Sequence, residues 1–311
     1  MPIVRALTEA DLPQARHIVR LAFGTFLGVP DLDRFWADQD YVYGRFGAEH
    51  TAGFAAEEDG TLLGSNFATR WGSVGFFGPL STRPDRWNGG CAQPLVAAAC
   101  EQFERWRVGH AGLFTFAQSA KHVHLYRKFG FYPRFLTAIM SRPAQAGAVP
   151  ADARHSLLAA ADRMAAEDAS YGLTDEIHDG LDLRGEIRTV AARGLGDTLL
   201  LRDGSRLAGF AICHWGPASE AGGGNLYIKF AAVRPGNGAA GRFAELLRAA
   251  GALAAVAGMA NVLAGVNLAR EEAYGQMAAG GFRTEIQGVA MHRGNAPGYS
   301  RPGVYVLDDW R

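Results

Sequence analysis

An internal repeat constrains the fold of this chain more than any other feature of its sequence. In each half an Asp-Gly pair is followed by a Trp-Gly pair, with 12 residues from Asp to Trp. An Arg-Pro pair is then followed by a Gly-Phe pair, with 46 residues from Pro to Gly. Four landmarks in one order and at matching spacings predict two copies of one structural unit. The landmarks are Asp59, Trp71, Pro84 and Gly130 in the first copy and Asp203, Trp215, Pro235 and Gly281 in the second.

The separation of matching landmarks grows along the chain, from 144 residues at the tryptophans to 151 at the prolines. We therefore expect a seven-residue insertion in the second copy, held by a loop at the Gly-rich segment Ser219–Gly224. Residues 143–150 are rich in Pro, Ala and Gly and carry no charge, which is typical of a linker. The predicted division is a first domain at 1–142, a linker at 143–153 and a second domain at 154–311.

Local patterns predict strands and helices in the same order in both copies. Thr8 and Asp11 resemble a capping box that begins a helix at Leu12. The two Asp-Gly pairs supply the positive φ that hairpin turns require, and apolar periodicity places the other elements. In the first copy the predicted strands are 3–7, 51–57, 61–71, 74–83, 113–116 and 135–140, and the later helices are 93–108 and 123–129. In the second copy the predicted strands after the hairpin are 226–233, 262–266 and 288–292, and the helices are 242–257 and 269–279.

Charge and cysteine content exclude several classes of protein. Lys and Arg number 31, as do Asp and Glu, and this balance argues against nucleic acid or an anionic membrane as partner. Cys91, Cys100 and Cys213 are scattered and form no CxxC pair, so we expect neither a disulfide framework nor a zinc site. No apolar stretch approaches ~18 residues and the N-terminus does not look like a signal peptide, so we expect a cytoplasmic protein.

A glycine-rich turn before a predicted helix is the first candidate for a binding site. Gly89 and Gly90 allow a ligand to approach the backbone, small Cys91 and Ala92 leave the turn open, and Pro94 suits the first turn of a helix. The unpaired N–H groups and the dipole of the helix favour an anion there, such as a pyrophosphate. Taken alone, the pattern also suits an ordinary turn.

The residues around this turn resemble the GNAT superfamily of acetyltransferases. Residues 84–92 (PDRWNGGCA) are similar to the family's pyrophosphate loop, although Trp87 stands where the family usually has Gln or Arg. Residues 125–131 (LYRKFGF) are similar to the family's Leu-Tyr-x-x-x-Gly-Phe signature. Ser119 stands where the family usually has Asn, and residues 4–12 resemble the family's first strand and helix. The resemblance covers most of 1–140 and, more loosely, 155–295.

The resemblance implies an α/β fold with two GNAT-like domains, each a mixed, mostly antiparallel sheet flanked by helices. It also implies acetyl-CoA, or another acyl-CoA, as co-substrate, and direct acyl transfer to an amine in a ternary complex without a metal. Tyr126 takes the position of the acid that protonates the departing thiolate. A backbone N–H at or near Leu80 takes that of the donor to the thioester oxygen. The residues expected to hold the cofactor are Leu80, Thr82, Trp87, Asn88, Gly89, Gly90, Cys91, Ala92 and Ser119.

The second copy departs from the family pattern, and we expect it to be degenerate. At the 151-residue offset the tyrosine in the position of the acid is replaced, and a large side chain stands in the loop where the first copy has a small one. Asn267 resembles the family's Asn, however, and Tyr274 lies about one helical turn from the acid position, which leaves a shifted site open. The expected role of this copy is to cover the first sheet or to form a wall of the acceptor site. The matched pairs are Tyr126 with Met277, Ala92 with Phe243, and Gly90 with Gly241.

Other interpretations of the same residues stay open. Tyr126 also suits a packing role, and Pro79 suits either an edge strand or a strand that splays to admit the cofactor. Cys91 at a helix N-terminus is a candidate nucleophile with a lowered pKa. His122 and His124 could suggest a metal, but an i,i+2 pair on a helix points to different sides. The main alternative function is a catalytically silent module that binds or senses acyl-CoA.

The acceptor is the least determined part of the prediction. A small-molecule or peptide amine is expected, bound by the variable residues 26–47 and by the second copy, in a monomer or homodimer. Glu57, Glu58 and Asp59 are the acidic residues considered as general base, although they equally suit a hairpin surface. The acidic stretch 167–182 reads as a solvated helix and loop.

Overall fold

The computed structural model describes residues 2–311 and places both copies in one continuous sheet. The sheet is mixed and mostly antiparallel, and seven helices flank it. The strands are β1 Ile3–Ala6, β2 Thr51–Glu58, β3 Thr61–Trp71, β4 Val74–Phe77, β5 Ser81–Thr82, β6 His110–Phe116, β7 Phe131–Pro143, β8 Gly196–Asp203, β9 Arg206–Gly216, β10 Gly222–Val233, β11 Asn261–Asn267, β12 Arg283–Arg293 and β13 Val306–Leu307. The helices are α1 Leu12–Leu27, α2 Ala92–Arg105, α3 Ala120–Arg127, α4 Ala160–Asp175, α5 Arg184–Arg193, α6 Ala239–Val256 and α7 Glu271–Ala279.

Local signals set most of these boundaries close to their predicted positions. The capping box of Thr8 and Asp11 is formed, and α1 begins at Leu12. Asp59 and Gly60 both have positive φ in the turn between β2 and β3. The two hairpins and the helices follow from such short-range chemistry. The observed helices and mixed sheet confirm the predicted α/β fold class.

The two copies exchange their last strands. The order along the sheet is β1-β2-β3-β4-β6-β12-β7-β11-β10-β9-β8. Strand β12, from the end of the second copy, therefore lies between β6 and β7 of the first, while β7 pairs with β11 of the second. All of these pairs are antiparallel. Because β12 pairs with β6 and β7 pairs with β11, each half of the sheet is completed by a strand from the other half. The predicted limits of the two domains stay a prediction.

Each half of the sheet opens where two parallel strands separate. In the first half β4 pairs with β6 only from Val74 to Phe76, which creates the first gap beyond this point. In the second half β10 pairs with β11 only from Asn225 to Ile228. The second gap beyond this point is filled, because β13 pairs there with Ala231 and Ala232 of β10.

Separate apolar clusters hold the helices on the sheet. Successive β2 residues point to opposite faces, so that Ala55 packs with α1 whereas Phe54 and Ala56 pack with α2. The second half has its own cluster around α6. A further cluster joins the two copies, with Trp71 and Phe76 packed against residues of β9, β10, α4 and α5. The two copies therefore share an interior.

Two predicted segments are less open than their sequences suggest. Ser219 and Glu220 lie in the loop between β9 and β10 but are buried, and Gly222–Gly224 already belong to β10. The acidic stretch is not wholly solvated, because Glu167 is buried against His155 and Arg188. In both segments a polar sequence is buried because distant basic side chains satisfy its carboxylates. Among residues 2–311, no helix combines the length and the apolar character needed to cross a membrane.

Candidate active site

A cavity of about 670 Å³ lies at the first gap. It runs from the turn before α2, past the segment Gly78–Thr82, to α1 and α3. Nine of the predicted site residues line it, and Gly89 does not. The nine are Leu80, Thr82, Trp87, Asn88, Gly90, Cys91, Ala92, Ser119 and Tyr126.

The turn before α2 has the geometry of an anion site. Gly90 has φ +82, and a Cβ added to it would meet no atom within 4 Å, so its backbone faces open space. The first N–H groups of α2 have no partner within the helix and lie at the same place. Gly89 instead faces back, with its N–H donating to the carbonyl of Arg86 at 3.1 Å. A phosphate group therefore fits in front of Gly90.

Trp87 supports this turn rather than blocking it. Its Nε1 donates to the carbonyl of Thr82 at 3.0 Å, and the Nζ of Lys121 lies 5.8 Å from the centre of its ring. Trp87 therefore fixes the turn to the end of β5 and holds a cation beside it. Lys121 gives this turn a positive charge that the sequence motif did not predict.

Cys91 is not the activated thiol that its place at a helix N-terminus suggested. Its side chain is 4% exposed, and burial, together with the charge of Glu58, raises the pKa of the thiol. A raised pKa keeps the sulfur protonated at neutral pH, and a protonated thiol is a poor nucleophile. This contradicts the alternative in which Cys91 is a nucleophile with a lowered pKa.

Tyr126 lies on α3 with its ring in the cluster that holds α2. It contacts Phe77 at the first gap, with ring centroids 5.6 Å apart, and its hydroxyl interacts with Thr115 of β6. Burial raises the pKa of Tyr126, and the hydrogen bond to Thr115 offsets only part of this effect. The hydroxyl thus keeps its proton and can donate it into the cavity.

A buried charged side chain anchors one edge of the first gap. Arg45 donates to the carbonyl of Gly78, in the segment that follows β4 and contains a cis bond to Pro79. The same guanidinium donates to the carbonyl of Arg311, so it joins the edge of the gap to the C-terminal residues. Pro79 and Leu80 line the cavity on this segment. The arrangement agrees with a strand that splays, as Pro79 suggested.

The cavity wall is basic. Among its described lining residues there are four Lys or Arg side chains, two histidines and no Asp or Glu. Glu57 pairs with Arg5 at 2.7 Å and Glu58 with Arg86 at 3.2 Å, so these carboxylates belong to the hairpin surface. The basic residues of the lining are Arg86, Lys121, His122, His124, Lys128 and Arg311. This charge suits a cofactor with several phosphates.

The far end of the cavity is aromatic and includes residues that sequence reasoning missed. Trp36 and Tyr41 come from the segment 26–47 that was expected to bind the acceptor. Trp310 and Ile286 come from the C-terminal segment and from the exchanged strand β12, and neither was predicted. The apolar run at 304–307, shortly before Trp310, was the available signal, but the position of this segment depends on the strand exchange.

The second gap has no comparable opening. The Arg270 guanidinium holds the C-terminal segment there, donating to the Val306 carbonyl at 2.9 Å and to Asp308 at 2.9 Å. Met277 and Phe243 are fully buried in the core. Gly241 lies inside α6, so its predicted match with Gly90 is wrong: the turn before α6 is shorter and its positive-φ glycines are Gly236 and Gly238.

Histidines and other potential ligands do not gather at the site. His122 lines the cavity and packs against Phe26, with ring centroids 5.1 Å apart and planes tilted by 54°, while the His124 side chain is exposed. In the described part of the chain, no group of three or more His, Cys, Asp or Glu side chains is placed to hold a metal ion. His122 is instead a single titratable side chain one turn before Tyr126.

Residues 14–131 match the family described as Acetyltransferase (GNAT) family. This part of the chain is a GNAT acetyltransferase domain, as its motifs predicted. No curated protein gives a significant match. The match covers 118 of the 311 residues and supports, in general terms, an acyl-CoA-dependent N-acetyltransferase.

Solved structures share the fold of the whole chain. A putative acetyltransferase from Pyrococcus horikoshii is 12% identical with a TM-score of 0.67, covering 98% of this chain and 93% of that one. A GCN5-related N-acetyltransferase from Sphaerobacter thermophilus is 16% identical with a TM-score of 0.55, covering 94% and 95%. Another from Anabaena variabilis is 14% identical with a TM-score of 0.53, covering 94% and 72%. The fold of the whole chain is therefore shared over more than 90% of the length of the first two structures and over 72% of the third.

Proposed function

We propose that the first copy transfers an acetyl group from acetyl-CoA to a primary amine by direct attack in a ternary complex. The observation that carries the proposal is one continuous cavity that joins the turn at Gly90, the gap beside Leu80 and the side chain of Tyr126. A phosphate site, an opening between strands and a proton donor are the parts that this reaction needs from the protein.

The chain's own residues have distinct parts in the proposed reaction. When bound, acetyl-CoA supplies a thioester: the amine nitrogen bonds to the acyl carbon, the C–S bond breaks and the sulfur leaves. Backbone N–H groups at Gly90–Ala92, with Arg86 and Lys121, hold the phosphates. The N–H at or near Leu80 stabilises the charge that grows on the acyl oxygen, a contribution of about 3 kcal/mol for one such donor. Tyr126 gives its proton to the departing sulfur.

The amine must lose a proton to attack, and no described Asp or Glu lines the cavity to receive it. This supports proton loss through water. His122 lies one helical turn before Tyr126 on α3, with ring centroids 6.5 Å apart, and burial, followed by the charge of Lys121, lowers the pKa of its imidazole. His122 is therefore neutral at pH 7 and able to take the proton from such a water.

Binding of acetyl-CoA tests the site. Calorimetric titration is expected to give one site per chain, because β13 fills the second gap. Gly90→Trp is expected to abolish binding by filling the space in front of the turn. Gly236→Trp is the matched control: it also has positive φ and nothing near its Cβ, but it lies in the turn of the second copy. Loss of binding only in Gly236→Trp, or two sites per chain, would contradict the assignment.

A catalytically silent acyl-CoA-binding module remains the alternative, favoured by Trp87 and Ser119 at positions where the family usually has other residues. Amine-dependent release of CoA thiol separates the two functions. Binding of acetyl-CoA without turnover of any amine would favour the silent module.

A further inference from the structure

The far end of the cavity is lined by aromatic rings, which we call the aromatic wall. Its members come from α1, the segment after it, β6 and the C-terminal segment. They contact one another: the ring centroids are 5.1 Å apart for Phe23 and Trp36, 5.0 Å for Trp36 and Tyr41, and 4.9 Å for Phe26 and Phe116. The wall comprises Phe23, Phe26, Trp36, Tyr41, Phe116 and Trp310.

The rings of the aromatic wall are held in place. Trp36 stacks on Phe35, with centroids 4.5 Å apart and planes 22° apart. Trp310 donates from Nε1 to the hydroxyl of Tyr299 at 3.0 Å and packs over Gly112, where an added Cβ would lie 2.1 Å from its ring. Because these rings are fixed in advance, a flat ligand binds them with little further loss of entropy.

The polar groups at this end are already engaged. The guanidinium of Arg311 lies 3.2 Å from Asp309 and 4.2 Å from the centre of the Tyr227 ring. Burial raises the pKa of Tyr41 to about 12, so its hydroxyl stays neutral. The aromatic wall therefore offers an acceptor mainly apolar contact rather than a partner for a second charge.

The basic charge of the cavity further restricts the class of amine that can bind. A polyamine or an aminosugar with several ammonium groups would enter a basic space that, among its described lining residues, holds no carboxylate to pair with it. A single amine is affected differently. Burial and the nearby cations lower the pKa of its ammonium form, which favours the neutral nitrogen that attacks.

We infer that the acceptor is an arylalkylamine, one primary amine on a short chain that carries an aromatic ring, with the ring packed on the aromatic wall. The inference rests on the proposed acetyl transfer and adds the class of acceptor. The amine nitrogen faces the first gap, where the acyl carbon is presented beside Leu80, and the ring occupies the end of the cavity near Trp36 and Trp310.

The test compares 2-phenylethylamine, propylamine and spermidine as acceptors in CoA-release assays with the full-length protein. Burial of the phenyl ring is expected to raise kcat/KM for phenylethylamine about tenfold to hundredfold over propylamine. Trp36→Ala is expected to raise KM for phenylethylamine about tenfold or more while it leaves KM for propylamine and the Kd of acetyl-CoA unchanged. Tyr43→Ala is the matched control, since this exposed tyrosine lies in the same segment but outside the cavity lining.

Calorimetry of the same samples separates the two levels of the argument. If wild type binds no acetyl-CoA, the proposed function fails and the acceptor assignment fails with it. If acetyl-CoA binds but spermidine is the preferred acceptor, only the acceptor assignment is overturned. The same holds if phenylethylamine neither reacts nor binds, or if Trp36→Ala and Tyr43→Ala behave alike. Because Trp36 also packs on Phe35 within its own segment, a second variant controls for local unfolding: Phe26→Leu reduces the wall on the regular helix α1, with the same expected split between the two amines.

Discussion

Arg45 and Glu220, which belong to different copies, form a buried ion pair with Nε and Oε1 2.8 Å apart. The other oxygen of Glu220 accepts from the Nζ of Lys229 at 2.6 Å. Since Arg45 also donates to the carbonyls of Gly78 and Arg311, this pair connects the second copy directly to the first gap. The second copy thus supports the site even though its own gap is filled.

Removal of the Glu220 charge is expected to destabilise the protein strongly. Glu220→Gln leaves Arg45 and Lys229 buried without a counter-charge, at an expected cost of about 3–5 kcal/mol in the free energy of unfolding. Urea denaturation measures this cost. Glu101→Gln, which removes an exposed partner of Arg105, is the control and is expected to cost no more than about 0.5 kcal/mol. Equal losses in the free energy of unfolding for the two variants would show that the buried ion pair stabilises the protein no more than the exposed pair does.

Stability is expected to fall on mild acidification because of buried histidines. Burial lowers the pKa of His110 to about 4, with a contribution from the charge of His178. Burial also lowers the pKa of His214 to about 4. Burial, followed by the charge of His110, lowers the pKa of His292 to about 3. The unfolded chain takes up these protons below its ordinary pKa of 6.5, whereas the folded chain does not. Stability is therefore complete above pH 6.5 and falls as the pH decreases to about 4.

Thermal and urea denaturation between pH 7 and 4.5 measure this decline. Each histidine contributes a slope of up to about 1.4 kcal/mol per pH unit. His110→Asn is expected to reduce the slope by about one proton, while the exposed His124→Asn leaves it unchanged. A wild-type stability that is flat over this range would rule out the neutral buried state of these imidazoles.

A carboxylate effect follows at lower pH. Burial alone would raise the pKa of Glu220, but the charges of Arg45 and Lys229 outweigh burial and lower it to about 2. A lowered pKa means that the stabilisation from Glu220 is complete above pH 4.5 and is lost as the pH falls toward 2. The two effects are expected to appear as successive phases in an acid titration of wild type, and Glu220→Gln is expected to lack the second.

Tyr126→Phe is expected to lower kcat about 10²-fold and to leave the Kd of acetyl-CoA unchanged, because only the proton donor is removed. Since burial raises the pKa of Tyr126, the kcat of wild type is expected to hold through pH 10, where an ordinary tyrosine ionises. Steady-state kinetics with acetyl-CoA and an accepted amine measure both effects. Tyr132→Phe, at an exposed tyrosine of β7, is the control. Full activity of Tyr126→Phe would remove this residue from the mechanism.

Cys91→Ala is expected to keep at least about a third of the wild-type kcat, since its raised pKa and its burial argue against a covalent intermediate. Initial-rate patterns with both substrates are expected to intersect, as they do for a ternary complex. Parallel patterns, or an acetyl group found on Cys91 after mixing with acetyl-CoA alone, would instead establish a two-step transfer through the thiol.

Short-range chemistry explains what the sequence predicted well. The capping box at Thr8, the Asp-Gly turns and the Gly90 turn depend on residues within about four positions of one another, so they can be recognised without knowledge of the fold. The turn at Gly90 and Tyr126 could also be assigned to one site, because the family resemblance supplied the spatial relation between the two.

Long-range pairing explains what the sequence did not reveal. Strands β7 and β12 both have residues suited to either neighbour, so nothing local indicates that they change places. Glu220 lies in a Gly-rich polar run that resembles an open loop, and only the distant Arg45 and Lys229 make its burial possible. Trp310 enters the first cavity only as a consequence of the strand exchange.

The exchanged strand also has a consequence for the order in which the protein folds during its synthesis. A ribosome completes the first 142 residues long before it makes β12 and Trp310, yet both are parts of the first cavity. Domains generally fold in order as the chain emerges, but here the N-terminal half must wait with an unpaired edge at β6. The first cavity is consequently incomplete until β12 and Trp310 have been made, and a growing chain without them lacks part of the cavity wall.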